Sequence, residues 1–214
     1  MASTKETVAR RPLMERLSRR VPLQGRSQQT VEDILEATSR LLVSGGAKEI
    51  TTNAIAAEAG LSVGALYRFF PDKQAIIDAI AVRHVEAFQR SAVLVLISLG
   101  AFSGPDFVSG LIDHFVAFLE QRPDFRAIAF GGHISQTTRA AHSLPDSAGV
   151  NILKKFMLKS LHAKDRSALD IKLKMAAETG ERLIEFAFKQ KSVEERLKVI
   201  AELKLMLSSY LFKK

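Results

Sequence analysis

TTNAIAAEAGLSVGALYRFFPDKQAI, residues 51–76, divides into two short helical runs around a glycine, and the rest of the chain is read outward from that division. Thr51 or Thr52 is placed to cap a helix with Ile55, Ala56 and Ala59 on one face, because a Thr oxygen accepts from an N–H that a first turn leaves unpaired. Gly60 stops that helix, since glycine enters the left-handed region without a Cβ clash. Ser62 caps a second helix holding Leu66, Phe69 and Phe70, and Pro71-Asp72 then opens a long run to about Ser98. Ile55, Ala56 and Ala59 on one side and Leu66 and Phe70 on the other fall on single faces, so they can form a small core between the two short helices.

Upstream, Ser27 is positioned to cap a helix whose stripe is Val31, Ile34, Leu35, Thr38, Leu41 and Leu42, ended by Gly45-Gly46. Downstream, the long run carries Ile76, Ile77, Ile80, Val85 and Phe88, and residues 100–105 are rich in Gly, Ser and Pro, which marks a joint. Beyond it Phe107, Leu111, Phe115 and Leu119 recur at helical spacing. Pro123, Gly131-Gly132 and Pro145 cut the next part into shorter helices. Longer ones are expected near 146–163 and 165–190, and a last one from Ser192 to about Phe212. Sustained period-two alternation is absent, so the expected fold is all-α. The expected division is a basic arm over 1–26, a three-helix unit over 27–73, a connecting helix over 74–103 and a helical domain over 104–214.

Composition limits the function. The 214 residues are 47% hydrophobic and 25% charged, an ordinary globular balance. There is no cysteine, which excludes disulfides, thiolate metal sites and thiol catalysis. The longest apolar stretch, residues 92–100, falls far short of the roughly 20 residues that a membrane span needs. Residues 1–21 have no signal-peptide centre, so a soluble cytoplasmic protein without membrane attachment is expected. The net charge of +8 is uneven: residues 1–26 hold seven Lys or Arg against two acids, whereas residues 27–100 are net acidic. Charge therefore points to phosphate contact mainly in the arm, through Arg10, Arg11, Arg16, Arg19, Arg20 and Arg26.

Two short helices joined by a tight turn, with an apolar helix on either side, are the parts of a helix-turn-helix, whose second helix reads base edges in a major groove with its N-terminal residues. Here that end presents Ser62, Val63, Gly64 and Ala65, with Arg68 one turn on. Helix starts near Thr52, Val63 and Lys73 offer backbone N–H donors to phosphate. Gly64 costs up to about 1 kcal/mol in a helix relative to alanine, which suits a backbone that must lie close to DNA. Tyr67 joins a flat apolar body to a hydroxyl, Lys73 is a mobile positive charge, and Arg68 reaches either guanine or phosphate.

Over most of residues 28–80 the chain resembles the TetR family of transcriptional regulators, the run at 51–76 carrying the resemblance. The resemblance implies that Thr52, Ser62, Gly64, Tyr67 and Lys73 touch operator DNA, while Phe69 departs from the histidine or tyrosine often found at its position. It also implies a C-terminal ligand domain, a homodimer through the last two long helices, and repression relieved by a small-molecule effector. The expected DNA-binding residues are thus Thr51, Thr52, Ser62, Val63, Gly64, Ala65, Tyr67, Arg68 and Lys73, acting on double-stranded operator DNA.

In the second domain Phe107, His114, Phe118, Phe130 and His133 are candidate ligand residues, because aromatic side chains with an occasional polar anchor are what a small-molecule pocket uses, while the same aromatic set also suits an ordinary core. Leu173, Ala176, Gly180 and Leu183 form a stripe with a small middle that suits close helix contact. With Leu203 and Leu207 they are the expected dimer residues, the alternative being that both helices simply close their own domain. Gly60-Leu61-Ser62-Val63-Gly64 also matches G-x-S-x-G, but the elbow of a serine hydrolase follows a buried strand and AIAAEA favours helix. An inert helical scaffold or adaptor is the other alternative. His84, His114, His133, His142 and His162 show no metal-binding spacing, and neither catalysis nor a cofactor is expected.

Overall fold

The computed structural model describes residues 25–46, 50–98, 104–141 and 166–212. The basic arm up to residue 24 and the helix expected over 146–163 lie outside the described residues. Among the described residues all regular structure is helical: α1 (Gly25–Gly45), α2 (Thr52–Glu58), α3 (Val63–Phe69), α4 (Lys73–Ser98), α5 (Gly104–Glu120), α6 (Pro123–Phe130), α7 (Gln136–Ala141), α8 (Arg166–Phe188) and α9 (Val193–Phe212). They form two compact units. The first takes described residues up to Glu86 together with 122–141, and the second takes 87–121 and the residues after 141.

In the first unit, Ile34, Leu42, Ile55, Leu66, Phe70 and Ile77 are fully buried in one core. Thr38 lies on the same stripe of α1, also fully buried, and its hydroxyl donates to the Ile34 carbonyl at 2.7 Å, which pairs the one polar group of that side chain. α1 takes in Ser27, which therefore does not cap it. The next caps are local and follow the sequence. Thr51 is extended and its Oγ1 accepts from the Ala54 N–H at 3.1 Å, which makes Thr51, and not Thr52, the cap of α2. At the other end of α2 the Leu61 N–H donates to the Ala56 carbonyl and the Gly60 N–H to the Ala57 carbonyl. That is the Schellman pairing, and it needs the positive φ that Gly60 adopts, +67°. Ser62 Oγ accepts from the Ala65 N–H at 3.2 Å to start α3. α3 ends because Pro71 pushes Phe70 out of the helical region, to φ −124°, ψ 135°. Asp72 Oδ1 then accepts from the Ala75 N–H and starts α4.

Residues 122–141 were expected in the C-terminal domain, but they pack in the first unit. Pro123 and Gly131-Gly132 cut the chain into helices too short to make a core of their own, and Ile128 is fully buried in the core under α1 and α4. Polar ties reinforce this packing. Asp78, only 4% exposed, accepts from the Gln74 side chain and from the Ser135 N–H, both at 3.0 Å, and Gln74 also donates to the His133 carbonyl at 2.7 Å. Asp124 of α6 lies 2.9 Å from His84 Nε2 of α4. Burial opposes ionisation of Asp124, but hydrogen bonds from His84 and Ser39, and the His84 charge, outweigh it and hold the carboxyl at about 2.

In the second unit α9 packs against both α5 and α8. Ile200, Leu203, Leu207 and Leu211 are its buried stripe. The facing stripe on α8 includes Leu169, Leu173, Ala176 and Ile184, all buried. No helix among the described residues is long and apolar enough to cross a membrane.

Candidate nucleic-acid interface

α3 has one face in the core and one outside. Leu66 and Phe70 are 0% and 1% exposed, and Val63 and Phe69 are half-buried against the same core. Gly64, Tyr67 and Arg68, at spacings of three and four, are exposed together and form the outward face, with Ser62 exposed at the N-terminal end and Ala65 half-buried beside it. Thr51 is exposed and Thr52 half-buried. The Thr52 hydroxyl lies 3.5 Å from the Tyr67 hydroxyl, so the start of α2 and the face of α3 meet at two polar groups. Lys73 Nζ donates to the Ile50 carbonyl at 2.8 Å, which ties the start of α4 to the residue just before the motif.

The structure thus gathers Thr51, Thr52, Ser62, Gly64, Tyr67 and Arg68 around one exposed ridge. It gives Val63 a share in the core, and Phe69 also packs inward. Gly64 stands apart from the other glycines of the motif. It lies in α3, outside the positive-φ set, and a Cβ built on it meets nothing within 4 Å. Neither backbone conformation nor crowding in the chain calls for a glycine there.

The candidate ligand residues are divided. His114 and Phe118 of α5 join Phe88 in one aromatic cluster, with ring centroids 5.4 Å from Phe88 in both cases, and His114 Nε2 lies 2.8 Å from the Ser91 hydroxyl. Phe107 is buried on the same helix. Phe130 and His133 belong to the first unit, where the His133 carbonyl is held by Gln74. Leu173, Ala176, Gly180, Leu203 and Leu207, read as dimer residues, are buried within the single chain, with Leu183 half-buried. The small middle of the α8 stripe receives the chain's own α9: Leu207 Cδ1 stands 3.6 Å from where a Gly180 Cβ would be. Apolar side chains that stay outside lie on the opposite side of α8, at Ile171, Met175 and Phe186, and on α9, at Met206 and Tyr210 among others.

The long-range ties of Asp78, Gln74, His84 and Asp124 were missed in the sequence. Their partners lie 40 to 59 residues away, where periodicity carries no signal. The G-x-S-x-G elbow has no support. Ser62 is a helix cap, and the segment before it is α2, not a strand. Among the described residues no group of three His, Cys, Asp or Glu side chains is arranged to hold a metal.

Two short helices joined across the Gly60 turn, the second with one face buried among its neighbours and the other exposed, are the arrangement of a helix-turn-helix. The model of bacterial regulatory proteins of the tetR family matches residues 34–80, and that of the tetracyclin repressor-like C-terminal domain matches residues 103–214. The chain belongs to the TetR family and is a transcriptional regulator with a DNA-binding domain, not an enzyme. It is 30% identical over 138 residues to the nucleoid occlusion factor SlmA of Pectobacterium carotovorum, a match that covers 55% of this chain and 70% of that protein. A TetR-family regulator from Streptomyces coelicolor superposes with a TM-score of 0.64 at 24% identity, over 85% of this chain and 97% of its own. The fatty acid degradation regulator FadR of Bacillus halodurans gives 0.63 at 12%, over 83% and 94%. At these identities the structural likenesses speak for the fold.

Proposed function

We propose that the chain is a cytoplasmic homodimeric repressor that inserts α3 into the major groove of a paired operator and is released by a small-molecule effector. The observation that carries the DNA-binding surface is Gly64. It sits in the middle of the exposed ridge, its own fold gives no reason for it, and bare backbone there lets base edges approach. Thr51, Thr52, Ser62, Tyr67 and the α4 start at Lys73 supply the surrounding phosphate contacts from hydroxyls and first-turn N–H groups.

Dimerisation is supported by α8, which is apolar on two sides. Leu173, Ala176 and Ile184 face inward, while Ile171, Met175 and Phe186 fall on one outer line and are 61%, 55% and 52% exposed. Such a line, continued by Met206 and Tyr210, suits a second copy about a two-fold axis. The aromatic cluster of Phe88, His114 and Phe118 supports an effector site with a polar anchor. α4 is continuous through both units, so an effector that favours one setting of α4 shifts the spacing of the two reading heads away from the ~34–36 Å that paired grooves require. Selection of bound fragments from the source genome, followed by a mobility-shift assay on the enriched duplex, tests this reading. A discrete enriched site supports it, and enrichment no better than random duplex rejects it.

A further inference from the structure

We infer that Arg68 is the residue that sets operator sequence, by pairing with a guanine in each half-site. This rests on the DNA-binding reading above. The exposed side of α3 offers few groups able to tell one base pair from another. Gly64 has no side chain, and Val63 and Ala65 are apolar. Ser62 Oγ already accepts from the Ala65 N–H, and the Tyr67 hydroxyl sits beside Thr52. Arg68 alone carries the planar pair of donors that matches the O6 and N7 acceptors of guanine.

Arg68 is also available. It is exposed and makes no hydrogen bond or ion pair with the described residues. The one carboxylate of α2, Glu58, is held by Arg40 at 2.7 Å. Side chains of a helix lean toward its N-terminus, so from position 68 the guanidinium extends over the turn that begins at Gly64, about 6 Å back along the axis. Gly64, one turn back on the same exposed face, adds no side chain beside it, and the space around its Cβ position is open. Bare backbone at 64 and a forked cation at 68 thus serve a single base-reading position, while the hydroxyls around them bind the phosphates on either side.

The test is a selection from a randomised duplex library with the full-length protein, its Arg68→Ala variant and its Arg68→Gln variant, at one fixed salt concentration. The expected result is a conserved guanine in each half-site for the unaltered protein, and loss of that preference alone in Arg68→Ala. Affinity for the guanine-bearing duplex should fall roughly 5- to 150-fold in Arg68→Ala, with little change on a duplex in which that guanine is replaced. Arg68→Gln should move the preference toward adenine, because the Gln amide matches the N6 and N7 of adenine. If Arg68→Ala weakens all duplexes equally and lowers the slope of log affinity against log salt by about 0.9 per half-site, Arg68 binds phosphate and the inference is overturned. If the unaltered protein selects no site at all, the DNA-binding reading fails first, an outcome distinct from either of these.

Discussion

Replacing Gly64 by alanine should move stability and DNA affinity in opposite directions. Gly64 lies in the first turn of α3, is exposed, and leaves room for a Cβ with no atom within 4 Å. Gly→Ala at a compatible site stabilises by about 0.4–1 kcal/mol, and a first-turn position belongs near the lower end. For a chain of this size a gain of about 0.5 kcal/mol raises the melting temperature by roughly 1–2 °C. On DNA the same methyl group stands between backbone and base edge. The cost should be comparable to losing one specific contact, about 1–3 kcal/mol, or roughly 5- to 150-fold in Kd. Thermal melting of the free protein and titration of a fluorescent operator duplex read the two effects separately. Gly60→Ala is the control, because at φ +67° the new side chain is strained and the melting temperature should fall. A Gly64→Ala protein that melts lower, or binds operator unchanged, would refute the argument that DNA is what the glycine accommodates.

Other substitutions test the supports of this surface. Removing a cap with Thr51→Ala or Ser62→Ala should destabilise by about 1 kcal/mol each, seen as a shift of the urea midpoint. The Asp124 carboxyl, at about 2 in the folded chain against 3.8 for the unperturbed group, contributes stability that is present above pH 4 and lost as pH falls through 2. Asp124→Asn should therefore remove about 1–2 kcal/mol at neutral pH, allowing for screening by water, and flatten the acid limb of a stability–pH curve. Phe186→Asp, on the outer face of α8, should convert dimer to monomer in sedimentation at micromolar concentration, whereas an unchanged dimer would place the interface elsewhere.

The sequence was most readable where structure is decided locally. A cap joins residues three apart, and a Schellman turn needs one glycine, so Thr51, Gly60, Ser62 and Pro71 mark the limits of the motif without any tertiary information. Helical stripes announce which residues are apolar but not what covers them. Leu173, Gly180 and Leu207 look the same whether they meet a second subunit or the chain's own next helix, and the structure gives them to the latter. Phe130 and His133 illustrate a second limit. Their place follows from Ile128 entering the front core and from Gln74 and Asp78 holding the loop after α6, contacts that join residues more than fifty positions apart. Lys73 illustrates a third. Its charge was legible, but its tether to the Ile50 carbonyl was not, because only the folded turn brings those two ends together.

On the reading proposed above, the ridge of Gly64, Tyr67 and Arg68 enters a major groove. Hydroxyl-radical and methylation footprinting of the full-length protein on its genomically selected duplex tests it most directly. Guanine N7 should be protected in two major-groove patches one helical turn, or a multiple of it, apart, with one guanine in each patch losing protection in Arg68→Ala. Protection confined to the sugar-phosphate backbone, with every guanine N7 open to methylation, would contradict it.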